Sequence, residues 1–196
     1  MSIHIDNLTK KFSGHTLFNS FCLDIPLGKT TVLTGSSGSG KTTLLRIITG
    51  LDKRYSGQIF GVPKSISFMF QEDRLLPWYD VYDNIAFVLR DIMDKEEMDT
   101  LIVDMIEAVR LKGHVHKMPK KLSGGMKRRV AMARAYCYPA ELLIMDEPFK
   151  GLDADLKRDM IALYRKMYVD TNKTAILVSH DESAIAQLSC NVIDID

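Results

Sequence analysis

Gly35-Ser36-Ser37-Gly38-Ser39-Gly40-Lys41-Thr42 lies between the β-branched run Thr30-Thr31-Val32-Leu33-Thr34 and the helical-looking Thr43-Leu44-Leu45-Arg46-Ile47-Ile48. Strand, glycine-rich loop and helix in that order is the context that the pattern G-x-x-x-x-G-K-S/T demands of a phosphate-binding loop. The glycines let the backbone curl without Cβ clashes, so that successive N–H groups and the following helix N-terminus point at one phosphate chain. Lys41 supplies a point charge for the β- and γ-phosphates, and the Thr42 hydroxyl is placed to reach Mg²⁺. A flexible Gly/Ser linker is the competing reading, but linkers do not sit between an apolar strand and an amphipathic helix. The stretch therefore predicts a site for a nucleoside triphosphate.

Working outward, Leu142-Leu143-Ile144-Met145-Asp146-Glu147 is an apolar strand ending in two acids, with Pro148 discouraging further ladder pairing. A parallel sheet binds its ligand beyond the carboxyl ends of its strands, the edge from which the phosphate loop emerges. Asp146 is thereby placed to hold Mg²⁺ through water, and Glu147 to polarise an attacking water. His180 follows the apolar strand Ala175 to Ser179, and Gln71 follows Ile66 to Phe70, so sheet geometry brings both to the same edge; each alone also reads as an ordinary surface residue at a strand end, and for Gln71 that plainer reading prevails. At the start of the chain, Ile3 and Ile5, then Phe21, Leu23 and Ile25, alternate with polar neighbours as two strands with one wet face. Further helices are expected at about 126–136 and 153–167 and after Asp181, with a last strand at about 191–195. Strands alternating with helices give an α/β fold: a phosphate-loop NTPase core with a mainly parallel sheet, an antiparallel β part near the N-terminus and a small helical insert.

The insert occupies about 80–136. Asp94 and Glu97 form a capping pair, and Met98, Leu101, Ile102, Met105, Ile106 and Val109 make an apolar stripe at helical spacing, read as core packing. Gly113 to Pro119, with His114 and His116, reads as a loop without a third metal ligand nearby. Lys+Arg of 26 against Asp+Glu of 25 leave a formal net charge of +1, so no global field favours nucleic acid or an anionic membrane, and phosphate binding must be local. Cys22, Cys137 and Cys190 have neither paired nor metal-like spacing and are read as small buried hydrophobes in a reducing compartment. Met1 to Asp6 carries no leader-like pattern, and no run approaches the roughly 18 to 20 apolar residues of a membrane span.

Together these segments resemble the ATP-binding cassette (ABC) ATPases, the nucleotide-binding subunits of ABC transporters, from Ile3 to Ile195. The family's motifs occur in order: phosphate loop (Gly35 to Thr42), glutamine loop (Gln71), signature (Leu122-Ser123-Gly124-Gly125-Met126), acidic strand end (Leu142 to Glu147), D-loop (Gly151-Leu152-Asp153) and histidine switch (His180). The signature, ahead of the basic Lys127-Arg128-Arg129, is the specific mark. The resemblance implies a single nucleotide-binding domain over 1–196, with a RecA-like core at about 1–79 and 137–196 and a helical subdomain at about 80–136. It also implies two ATP molecules clamped between two copies. Phe12, Gly35, Ser36, Ser37, Gly38, Ser39, Gly40, Lys41, Thr42 and Thr43 of one copy would hold ATP, completed by Ser123, Gly124, Gly125 and Asp153 from the other. Glu147 would be the general base, His180 the γ-phosphate contact, and Gln71 a metal and water sensor; Thr42, Gln71 and Asp146 would attend Mg²⁺. Phe12 either stacks on adenine or is a core phenylalanine. The sequence departs from the family pattern at Met126, where many relatives carry glutamine, and at Phe149-Lys150 ahead of the D-loop.

Glu72-Asp73-Arg74-Leu75-Leu76-Pro77-Trp78 resembles the glutamine-loop region of bacterial importers for nitrate, sulfonate, taurine and related solutes. It reads as a loop exposing Leu75, Leu76 and Trp78 to a partner helix, or as one whose Trp78 packs back onto its own helical layer. The expected function is the ATP-hydrolysing subunit of a small-solute importer. Its expected partners are a second ATPase subunit, separate transmembrane permease subunits and an extracytoplasmic solute-binding protein, with no nucleic acid; its place is the cytoplasmic face of the cell membrane. Rival readings are the same engine in an exporter or lipoprotein-release complex, a soluble non-transport ABC protein, and a binding module without turnover.

Overall fold

The computed structural model describes residues 1–196. The central sheet has five parallel strands in the order β5-β6-β7-β3-β8, with β3 Thr30–Thr34, β5 Ile66–Met69, β6 Leu142–Asp146, β7 Thr174–Val178 and β8 Asn191–Asp194. β6 and β7 are buried at every residue, which explains their unbroken apolar character: a strand covered on both faces has no wet side to alternate with. Period-two geometry still divides the side chains. Leu142, Ile144, Ile176 and Val178 join one apolar cluster, while Leu143, Met145, Ala175 and Leu177 join another on the opposite face.

The first cluster lies under α1 (Lys41–Ile48) and a three-stranded antiparallel sheet, order β2-β1-β4, made of β1 Ser2–Phe12, β2 His15–Pro26 and β4 Ser56–Phe60. β1 and β2 form a hairpin in which Phe12 pairs with His15, leaving Phe12 at its tip. β4 has no counterpart among the sequence expectations. Gly57 permits close approach to β1: a Cβ on it would lie 2.5 Å from the Asn7 carbonyl oxygen.

The second cluster is covered by α2 (Val81–Ala86), α3 (Lys95–Ala108), α4 (Gly124–Cys137) and α5 (Ala154–Tyr164), the last running on into a π-helical turn at Arg165–Val169. The expected stripe is inward-facing, with Met98, Ile102, Met105, Ile106 and Val109 buried and Leu101 half-buried. Asp94 caps α3 by accepting from the Glu97 N–H at 3.0 Å, and α6 (Glu182–Gln187) starts behind Asp181. Of the three cysteines only Cys137 is a buried hydrophobe; Cys22 is exposed because it lies on the wet face of β2, and Cys190 is intermediate. No helix is long and apolar enough to cross a membrane.

Ile144 is fully buried in the middle of β6 and packs in the cluster beneath α1. Ile144→Ala should cost about 2–5 kcal/mol of unfolding free energy, read as a lower urea midpoint at unchanged slope.

Candidate active site: a phosphate loop facing two acids

Strand register decides which side chains meet. β3 pairs with β7 and β7 with β6, so that Leu33, Val178 and Asp146 lie side by side. The chain beyond each leaves the sheet at one edge, delivering the phosphate loop, His180 and Glu147. β5 pairs with β6 with Met69 opposite Met145, which brings Gln71 to the same edge. The result is a cleft of about 450 Å³ bordered by Phe12, Leu17, Ser37, Gly38, Gly40, Lys41, Thr42, Thr43, Gln71, Asp146, Glu147, Val178 and His180.

The helix after the loop is built to receive an anion. Five of the six helices have an N-terminus capped by a side chain, from Asp80, Asp94, Ser123, Asp153 and Asp181. α1 has no side-chain cap and no acid in its first turn, which leaves its backbone donors and dipole directed into the cleft. Its N-cap must be glycine: Gly40 has φ 102°, and a Cβ there would lie 2.6 Å from Phe18 Cζ. Lys41, only 7% exposed, folds its ammonium over the loop, donating to the carbonyls of Gly35 and Ser36 at 2.7 and 2.6 Å and to Ser39 Oγ at 3.3 Å. At the loop's other shoulder, the Asp196 carboxylate accepts from the Ser36 N–H at 2.7 and 2.8 Å and from its hydroxyl at 2.9 Å. These bonds hold the Asp196 pKa below the usual carboxylate range.

Thr42 Oγ1 donates to Asp146 Oδ2 at 2.7 Å. A hydroxyl and a carboxylate this close, beside the polyphosphate cradle, fit Mg²⁺, which takes one or two protein oxygens and keeps several waters. Held there by Thr42 and Asp146, it would supply positive charge to neutralise phosphate oxygens. No cluster of three or more His, Cys, Asp or Glu forms a protein-only metal cage, and His116 instead lies 3.0 Å from Asp80.

Glu147 is held in a left-handed backbone conformation, φ 53°, at a cost of about 1–3 kcal/mol for a residue with a Cβ. Its N–H donates to the Val178 carbonyl at 2.9 Å, and its carboxylate lies 3.4 Å from His180 Nε2. Burial raises its pKa, with Asp146 adding to the shift and His180 and Lys150 opposing it. A half-buried carboxylate with a raised pKa beside a histidine is equipped to take a proton from water.

Seven of the expected site residues do not border the cleft: Gly35, Ser36 and Ser39 belong to the loop but bond to Lys41 or Asp196, and the other four, Ser123, Gly124, Gly125 and Asp153, lie elsewhere. Ser123 Oγ accepts from the Met126 N–H at 3.3 Å, and Asp153 Oδ1 from the Leu156 N–H at 2.9 Å, so each caps a helix in its own chain. The signature and D-loop are neighbours, since a Cβ on Gly125 would lie 3.8 Å from the Gly151 carbonyl oxygen. Phe12 is 51% exposed at the cleft's rim, which excludes the core reading. Trp78 is 67% exposed and does not pack back onto its own layer, whereas Leu75, expected outside, packs against the helical core. Buried Asn84 fixes this loop by accepting from the Leu76 N–H at 2.8 Å and donating to the carbonyls of Leu76, Tyr79 and Asp80.

Comparison with known proteins agrees with this geometry. The family described as ABC transporter matches residues 18–150. The chain belongs to the ABC transporter family. The sulfate/thiosulfate import ATP-binding protein CysA of Salmonella typhi is 36% identical over 208 residues, spanning 98% of this chain and 57% of that protein. CysA of Xanthomonas campestris is 36% identical over 207 residues, spanning 98% and 60%. The chain thus spans little more than half the length of these curated relatives. Among solved structures, that of dimeric MJ0796, a bacterial ABC transporter cassette, superposes with a TM-score of 0.88 at 26% identity, covering 98% of this chain and 93% of that one. A dimeric post-hydrolysis state of MJ0796 bound to ADP and Pi superposes with a TM-score of 0.86.

Three residues around this ABC site make contacts that no local feature of the sequence marks. Arg128 and Arg129 look like a solvated basic run but are 5% and 7% exposed. α4 is enclosed on so many sides that no periodicity marks an inner face. Asp196 meets Ser36 across 160 positions, with no local signal at either end. One consequence for stability follows from the raised pKa of Glu147: folding favours its protonated form, so wild-type stability is lost as pH rises from the ordinary value of 4.5. Glu147→Gln removes that loss. The melting temperature of the variant should exceed that of wild type at pH 7, and the gap should close as pH is brought to 4, read by circular dichroism across the series.

Proposed function

We propose that the chain is the ATP-binding and ATP-hydrolysing subunit that energises a membrane transporter, an importer of a small solute. The observation that carries this reading is a division of labour on the surface. The uncapped start of α1, Lys41, Glu147 and His180 converge on one cleft, while the signature at the start of α4 sits outside it, with Ser123 and Gly124 exposed. A helix start rich in backbone donors that its own cleft does not use suits a second copy, whose bound ATP it would complete. The dimeric state of the related cassette MJ0796 supports such a pairing.

In this reading the RecA-like core of about 1–79 and 137–196 holds the triphosphate, and the helical part of about 80–136 presents the signature to the partner copy. Lys41 and the α1 N-terminus orient the phosphates, Phe12 stacks on the base from the cleft's rim, and Thr42, Asp146 and Gln71 attend Mg²⁺. Glu147 takes the proton of the attacking water while His180, beside it, contacts the γ-phosphate. Asp153, next to the signature, links the two sites of the dimer. Exposed Trp78 supports an apolar contact between the glutamine loop and a permease subunit, with the protein peripheral on the cytoplasmic face of the membrane. The names of the sulfate/thiosulfate import relatives favour import, with a solute-binding protein outside, over an exporter or lipoprotein-release complex.

Purified protein should hydrolyse ATP in the presence of Mg²⁺, and Lys41→Ala should bring the rate to background; a wild-type rate no higher than that control removes the enzyme reading. Glu147→Gln should bind ATP without turnover and elute from a sizing column as a dimer only with nucleotide.

A further inference from the structure

Arg128 is the most heavily engaged side chain in the molecule. It projects from α4, five residues beyond the signature's Ser123, yet its guanidinium reaches the carboxyl ends of two strands at once. Nη1 donates to the carbonyls of Phe70 and Gln71 at 3.2 and 2.7 Å and to Asp73 Oδ1 at 3.1 Å. Nη2 donates to the Asp146 carbonyl at 2.9 Å and to that of Glu147, and Nε to that of Pro148 at 3.3 Å. The five N–H bonds of a guanidinium thus all face acceptors, and Asp73 is the one carboxylate paired with this buried cation.

The acceptors lie where the backbone needs restraint. Glu147 holds a left-handed φ of 53°, and the carbonyls of residues 146, 147 and 148 are all gripped by one planar group. A strained conformation persists only where its surroundings over-determine it. The same group fixes the carbonyl of Gln71, so the two cleft residues at the ends of β5 and β6 are set relative to each other from behind. Lysine, with one nitrogen at the end of a flexible stem, cannot span both strand ends.

We propose that Arg128 is a positioning residue for ATP hydrolysis: it locks the Glu147 backbone in its left-handed conformation and fixes the spacing of Glu147 from Gln71. Arg128 does not border the cleft, and none of its hydrogen bonds goes to the phosphate loop. This inference rests on the ATPase reading given above.

The test compares wild type, Arg128→Lys and Asp73→Asn for steady-state ATP hydrolysis, with nucleotide affinity measured separately by equilibrium binding of ATP in EDTA. Wild-type turnover above the Lys41→Ala control comes first, since its absence would sink the ATPase reading rather than this one. With it in hand, Arg128→Lys should lower kcat at least tenfold while KM and ATP affinity stay within about threefold. Asp73→Asn, at a partly exposed surface loop, should lower kcat by a smaller factor with the same split. Equal losses in kcat and ATP affinity, or kcat within twofold of wild type for Arg128→Lys, would overturn the proposal. If Arg128→Lys fails to fold, Asp73→Asn decides: kcat unchanged within error overturns it, and a fall in kcat with KM intact supports it.

Discussion

The 2.7 Å hydrogen bond from Thr42 to Asp146, spanning 104 positions, expresses the constraint on which the rest of the site depends: β3, β7 and β6 must run parallel and in register. Only then do the loop after Leu33, the histidine after Val178 and the acids at the end of β6 share an edge. A slip of one residue in β6 would turn its apolar side chains to the wrong clusters and remove Asp146 from Thr42. Burial of every residue of β6 and β7 enforces the register, so the apolar core and the polar cleft are specified by the same strands.

The electrostatics of the cleft favour function over local comfort. α1 forgoes the side-chain cap that every other α-helix has, and Lys41 turns to loop carbonyls for partners. Asp196 secures the loop's shoulder through Ser36. Glu147 combines a left-handed backbone with a carboxylate whose ionised form is disfavoured by burial. Each of these is a local cost that the surrounding sheet absorbs, and each leaves a group ready for an anion or a proton.

The helical layer is tied to the sheet through two buried guanidinium groups. Arg129 donates to the carbonyls of Val109 and Arg110 at the end of α3, at 2.9 and 2.7 Å, where the helix dipole favours a cation. Arg128 does the corresponding work at the ends of β5 and β6. Successive residues of α4 therefore bind the insert to itself and to the carboxyl edge of the sheet, which ties the signature helix to the Glu147 backbone.

The chain's sequence alone determined the alternation of strands and helices, the phosphate loop, the acidic end of β6 and the motif order, because each is written in neighbouring residues and in periods of two or 3.6. It also marked Glu147 and His180 through their places after apolar strands, whereas Gln71 was marked only by the family resemblance. It did not disclose β4, a short and mostly exposed strand, or the burial of Arg128 and Arg129, which in one dimension look like any solvated charge run. Whether Phe12 lay in the core, which of Leu75 and Trp78 faced outward, and that Asp196 meets Ser36 were decided by tertiary structure alone. Those outcomes depend on strand register and on contacts between segments far apart in the chain, and such contacts are fixed only when the sheet and its two covering layers pack together.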